Sequence, residues 1–224
     1  MIKLILILLA SILPSAGSSF FNLLFSIFLT FASDLTYPPG WDELQVDTGW
    51  ELINETNQIT IYRKSIPVSP LPAYRAELTT KVNIDALIEA AWLVEKSPDV
   101  FSNAYLIEAG IYNHDTDSSY TAFQLFDIPF LAPRLYQFNS LRNNYNIHWT
   151  KTDTLPVRLN PGNHMLPLIN FGSWKVEKLG DKTRVTYRVC TNPGGNVPLW
   201  IVKQANQHYL PQMLLDLEKW ANNH

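Results

Sequence analysis

Five histidines, one cysteine and a set of strand-like runs rich in aromatic residues are what this chain offers for chemistry. The histidines are His114, His148, His164, His208 and His224. None stands in a His-x-x-x-His pair and no Cys-x-x-Cys occurs, so the spacing does not point to zinc. A Gly-x-Ser-x-Gly elbow, a phosphate loop and a dinucleotide fingerprint are all missing. No metal or redox cofactor is implied. Cys190 lies in a strand-like run over residues 183–190, where a thiol serves as a small buried apolar group, and alone it cannot close an internal disulfide. Catalysis would need an acid or base inside a cavity, for which His148 and Tyr187 are the candidates. Strand alternation turns His148 away from its neighbour Trp149.

The remaining pattern is one of apolar walls. Val185, Tyr187 and Val189 fall on one face of a strand, with Arg184, Thr186 and Arg188 on the other. Tyr145, Ile147 and Trp149 share a face of a second strand. Val202, Ala205, Tyr209 and Met213 recur at helical spacing and would close the space between them. A dry wall of this kind suits a lipid or another apolar small molecule, and methionine adapts to varied shapes. Arg134 and Arg158 are the candidates for holding a polar or anionic head. The segment 160–167, with Pro161, Gly162, Met165 and Leu166, is a candidate lip for transient contact with a membrane surface.

Those walls need a scaffold. Hydrophobic residues make up 46% of the 224 and charged residues 17%, a globular balance. The net charge is −3 and the basic residues are scattered singly, which argues against nucleic acid as a partner. Residues 1–32 carry one charge, Lys3, followed by apolar runs at 4–13 and 20–32 around Pro14 and Gly17. This reads as a signal peptide over 1–33, with an uncleaved membrane anchor as the competing reading. The expected location is therefore exported, either periplasmic or secreted. A linker over 34–39 ends in Pro38-Pro39-Gly40, and one domain occupies 40–224. Within it the pattern predicts a short helix over 42–47, strands at 50–54 and 58–64, a proline-rich loop at 65–72 and a strand at 74–82. Asn83 is placed to cap a helix over 84–94. Strands follow at 104–113, 118–127, 134–142, 145–152, 170–178 and 183–190. A long C-terminal helix then starts at an Asn196 cap with Pro198 in its first turn. The class is α+β: a long antiparallel run that must curl, and one amphipathic helix to fill its concave side.

The last third carries a resemblance. Thr183-Arg184-Val185-Thr186-Tyr187 leads to Asn192-Pro193-Gly194-Gly195, then to Pro198-Leu199-Trp200 and to Pro211 through Leu214. This is similar to the end of START lipid-transfer domains. Asp127 through Arg134 resembles the proline-containing loop before that family's Arg-Asp-Phe motif. Here the motif reads Arg134-Leu135-Tyr136, without the acid. The resemblance implies a helix-grip fold, in which a curved antiparallel sheet wraps a long C-terminal helix around an internal apolar cavity for one lipid. It implies binding, and transfer or presentation, of that lipid. A cyclase- or hydrolase-like enzyme on the same superfold is the second reading. A membrane-anchored interaction module with a filled core is the third.

Overall fold

A computed structural model describes residues 35–224 other than 57, 102–104, 130, 154–163 and 196, and omits the side chains of 199–200 and 203–207. The hydrophobic segment, Arg158 and most of the segment 160–167 therefore lie outside the described residues, as does the Ala205 side chain.

The chain runs α1 (Trp41–Gln45), β1 (Glu51–Glu55), β2 (Ile59–Lys64), β3 (Ala73–Thr80), α2 (Ile84–Trp92), a 3-10 turn (Val94–Lys96) and α3 (Ser97–Val100). It continues through β4 (Leu106–Thr116), β5 (Ser119–Phe126), β6 (Arg134–Asn143), β7 (Asn146–Lys151), β8 (Ile169–Leu179), β9 (Lys182–Asn192) and α4 (Leu199–Asn223). All nine strands form one antiparallel sheet in the order β1-β2-β3-β9-β8-β7-β6-β5-β4. The helices after β3 carry the chain across to β4 at the far edge, and hairpins bring it back. Gly180, at φ 63°, makes the tight turn between β8 and β9, a backbone state that glycine adopts without strain. The Asn83 side chain accepts from the Asp85 amide at 2.7 Å, so α2 has the cap expected of it.

The main core lies on the concave face. Leu78, Val176 and Val185 from the sheet, Leu87 and Ile88 from α2, and Leu214 and Leu217 from α4 are at most 2% exposed. In α4 the buried line is Leu210, Leu214, Leu217 and Ala221. Helical spacing puts Val202, Ala205, Tyr209, Met213, Leu217 and Trp220 on one stripe; Leu217 is in the buried line, while Tyr209, Met213 and Trp220 sit one residue round from Leu210, Leu214 and Ala221. Each residue turns the helix by about 100°, so neighbouring positions face different surroundings. The helix starts at Leu199 with Pro198 as its cap residue, outside rather than inside the first turn.

The convex face carries a polar row across five strands. Tyr62, Arg75, Arg188, Ser173 and His148 are consecutive register partners. Residues 37–50 lie over this row and answer it group by group. The Tyr37 hydroxyl is hydrogen-bonded to His148 Nδ1 at 2.8 Å. Ser173 Oγ donates to Gln45 Oε1 at 3.1 Å. Arg188 Nη2 and Arg75 Nη1 reach Asp47 Oδ1 at 2.6 and 3.4 Å. The Arg75 guanidinium also stacks over Tyr62 at 4.1 Å and Trp50 at 5.2 Å. Tyr37 stacks on Trp41 with ring centres 4.3 Å apart, so the segment read as a linker already packs on the domain. Trp41, Leu44, Ile66, Ala73, Phe171 and Cys190 form a small second core beneath the strap. Burial pushes the Cys190 thiol up to about 11, so it holds its proton at neutral pH.

Arg75 and Arg188 are like charges facing each other in register, an arrangement that destabilises a strand pair unless a carboxylate lies between them. Asp47→Asn is expected to cost about 1 kcal/mol, because the carboxylate itself is well exposed and screened. Urea unfolding at low and high salt checks this: the gap to the wild type should narrow as salt rises.

Candidate ligand-binding site

Between the concave face and α4 lies a pocket of about 1010 Å³. Its floor is made of register rows. Ile147, Trp174 and Tyr187 pair across β7, β8 and β9, and Trp149, Gly172 and Val189 form the next row. Tyr136, Phe138 and Ser140 extend the lining along β6, and Tyr120, Gln124 and Phe126 along β5. Ile201, Tyr209, Leu210 and Met213 of α4 form the opposite wall. Tyr105, Ile128 and Pro129 border it from the loops.

Gly172 sets the floor's shape. A Cβ there would fall 2.3 Å from Trp149 Cζ2, because the indole lies across the bare glycine. In that position Trp149 stacks on Tyr187, with centres 5.5 Å apart and planes 21° apart. Trp174 packs on the same phenol at 4.4 Å. Burial holds the Tyr187 hydroxyl well above its ordinary range. Tyr136 is raised by burial too, against the smaller opposing effects of a Thr191 hydrogen bond and the Arg134 charge. Both phenols therefore keep their protons and serve as neutral donors. At the β5 side, Tyr120 donates to the Trp92 carbonyl at 3.1 Å and Gln124 Nε2 to Ser97 Oγ at 3.2 Å, so those polar groups already have partners. Among the described lining residues there is no Asp, Glu, Lys or Arg, and one histidine, His208 on α4.

Of the residues singled out from the sequence, Ile147, Trp149, Tyr187, Val189, Tyr209 and Met213 line this pocket. Four described ones do not. Tyr145 sits in the turn before β7, exposed, and donates to Asp85 Oδ1 at 2.9 Å; alternation breaks where the strand ends. Val185 shares the face of Tyr187 but is sealed in the core between its register partners Leu78 and Val176. Val202 is half-buried on α4 without lining the pocket. Arg134 is buried at the start of β6, beside the pocket but not in its lining. His148 lies on the convex face under Tyr37 and Trp41, where burial lowers its pKa and keeps it neutral. Sequence reading missed Trp174, Tyr136 and Phe138. Their alternation along β8 and β6 carried the signal, but it does not show which face of a strand is concave. A second depression of about 600 Å³, around Gly49, Arg63 and Lys64, is polar. Its charges are engaged by the Arg63–Glu51 pair and by Lys64 donating to the Glu43 and Thr48 carbonyls. Among the described residues no group of three His, Cys, Asp or Glu side chains is placed to share a metal ion.

No family model and no curated protein matches the sequence. Solved structures do match the fold. The STAR-related lipid transfer protein from Xanthomonas axonopodis superposes with a TM-score of 0.66 at 19% identity, over 78% of this chain and 99% of that one. This chain has a START-like helix-grip fold. Human StAR-related lipid transfer protein 5 gives 0.67 at 16% identity, over 81% and 90% of the two chains. Human STARD10 gives 0.67 at 14%, over 87% and 84%. At these identities the likeness is one of fold. In the START-like domain, as expected from its sequence, a nine-stranded antiparallel sheet curves around the C-terminal helix.

Proposed function

We propose that this START-like domain binds one lipid-class or similarly apolar molecule in the pocket between β5–β9 and α4, and carries or presents it. The observation that carries the reading is the lining: about 1010 Å³ walled by Trp149, Trp174, Tyr187, Phe126, Phe138 and Met213. Burying a ligand there exchanges its contact with water for contact with aromatic faces, at about 25 cal/mol per Å² of apolar surface. Matching that gain to what a bilayer offers makes exchange nearly neutral in free energy, about 0.8 kcal/mol per methylene on either side. The START-like neighbours, which are named as lipid transfer proteins, support the same reading.

The pocket is read as a binding site rather than a catalytic one. Its phenols hold their protons, which makes them donors to a ligand and poor general bases at neutral pH. The test is native mass spectrometry of the full-length chain, purified from a lipid-rich host, followed by extraction of what it carries. One apolar molecule per chain is the expected result. A chain that comes out empty and takes up no sterol, fatty acid or phospholipid when offered would sink the proposal.

A further inference from the structure

Arg134 is 3% exposed, yet among the described residues its guanidinium makes one hydrogen bond, from Nη1 to the Ala132 carbonyl. Its Nε is buried without a partner. Its ion-pair partner is missing as well: none of the pairs in the structure includes Arg134, and every Asp and Glu from residue 35 onward is described. The other two buried arginines, Arg75 and Arg188, both have Asp47. A buried cation without a counter-charge costs several kcal/mol, so a fold that keeps one leaves room for an anion.

The place of this charge says which anion. Arg134 opens β6 on the same face as Tyr136 and Phe138, and its register partner is Phe126; all three neighbours line the pocket. Among the described residues, Met165 and Gly195 lie beside Arg134. Met165 runs alongside, its amide donating to the Pro133 carbonyl at 2.7 Å while the Leu135 amide donates to the Met165 carbonyl at 3.0 Å. Gly195, at φ +67°, is close enough that a Cβ there would stand 3.2 Å from Met165 Cε and 4.0 Å from Arg134 Nη2. Of these two neighbours, the Met165 thioether is flexible and adapts its shape to a ligand at little cost.

We infer that Arg134 anchors an oxyanion, a carboxylate or phosphate, seated at the β6 end of the pocket, so that the ligand is an amphipathic molecule with an apolar body and one anionic head. The inference rests on the apolar-ligand reading of that pocket. The same oxyanion could instead be a free inorganic ion on Arg134, and the experiment separates the two sources.

The full-length chain is titrated with a long-chain fatty acid and with the fatty alcohol of equal length, as wild type, Arg134→Met and Arg134→Lys. The acid is expected to bind the wild type roughly 10- to 100-fold more tightly than the alcohol, the range for a hydrogen-bonded charge. Arg134→Met should erase that preference and leave the alcohol's affinity within about threefold. Arg134→Lys should keep part of it. Removing an unpaired buried charge should leave the fold intact, which circular dichroism checks, and the lysine variant keeps the test open if the methionine variant misfolds. Equal binding of acid and alcohol by the wild type would overturn the headgroup assignment while leaving the carrier reading standing. If neither binds, the single-chain amphipathic ligand is overturned while the carrier reading stands on its own test, and inorganic phosphate decides the anion site. A phosphate-dependent rise in melting temperature that Arg134→Met abolishes supports an oxyanion site; no rise overturns it.

Discussion

Gly172→Ala is expected to destabilise the domain by about 3 kcal/mol, lowering its melting temperature by roughly 6–12 °C. The added methyl meets two obstacles at once, Trp149 Cζ2 and the Arg188 carbonyl oxygen, each 2.3 Å away. The indole could swing aside. The carbonyl cannot, because Arg188 belongs to β9, which pairs with β8 along its whole length. Relief must come either from spreading two central strands or from pushing Trp149 off Tyr187 and into the pocket. The substitution should therefore also reduce the space available to an apolar ligand. Thermal unfolding of the full-length variant beside wild type reads the first effect, and uptake of a fluorescent fatty acid reads the second. A melting temperature within a degree of wild type would show that the indole does not lie across Gly172.

The second large effect separates neighbours on α4. Leu214→Ala should cost about 3–4 kcal/mol, and Met213→Ala about 1. Leu214 is fully buried in the main core, so truncating it leaves a cavity that the rigid sheet cannot collapse into. Met213 faces the pocket, where space already exists and a neighbouring side chain or a ligand can fill the gap. Urea denaturation of both variants gives the comparison. Equal losses would mean that α4 is rotated from the position described, or that Met213 is plain core.

The two effects differ for the same reason that parts of the chain were readable in advance. Local rules produced the elements. The alternation at 58–64 and 183–190 became β2 and β9, Asn83 became the cap of α2, and the Gly180-Asp181 turn joins β8 to β9. These depend on residues within one or two turns of each other, so the sequence states them directly. The site was legible in part, since Ile147, Trp149, Tyr187, Val189, Tyr209 and Met213 do line the pocket. The errors occur where a local pattern meets a neighbour it cannot name. Val185 obeys its strand's alternation and still misses the pocket, and Tyr145 falls in the turn where the alternation ends. Tyr145 is held by Asp85 on α2, and Val185 is sealed beneath the core.

The sequence by itself determined the α+β class, the order of the strands along the chain, the long C-terminal helix and the apolar character of one face of each strand. Those follow from backbone periodicity and from the composition of each segment. Tertiary structure alone decided which apolar residues are core and which are pocket wall, that Gly172 lets an indole lie flat on the floor, and that one carboxylate, Asp47, serves two arginines. It also left Arg134 buried with its Nε unpartnered and, among the described residues, without a counter-charge. Each of these rests on atoms brought together from distant parts of the chain, where burial and electrostatics depend on all the neighbours at once. No local pattern encodes that sum.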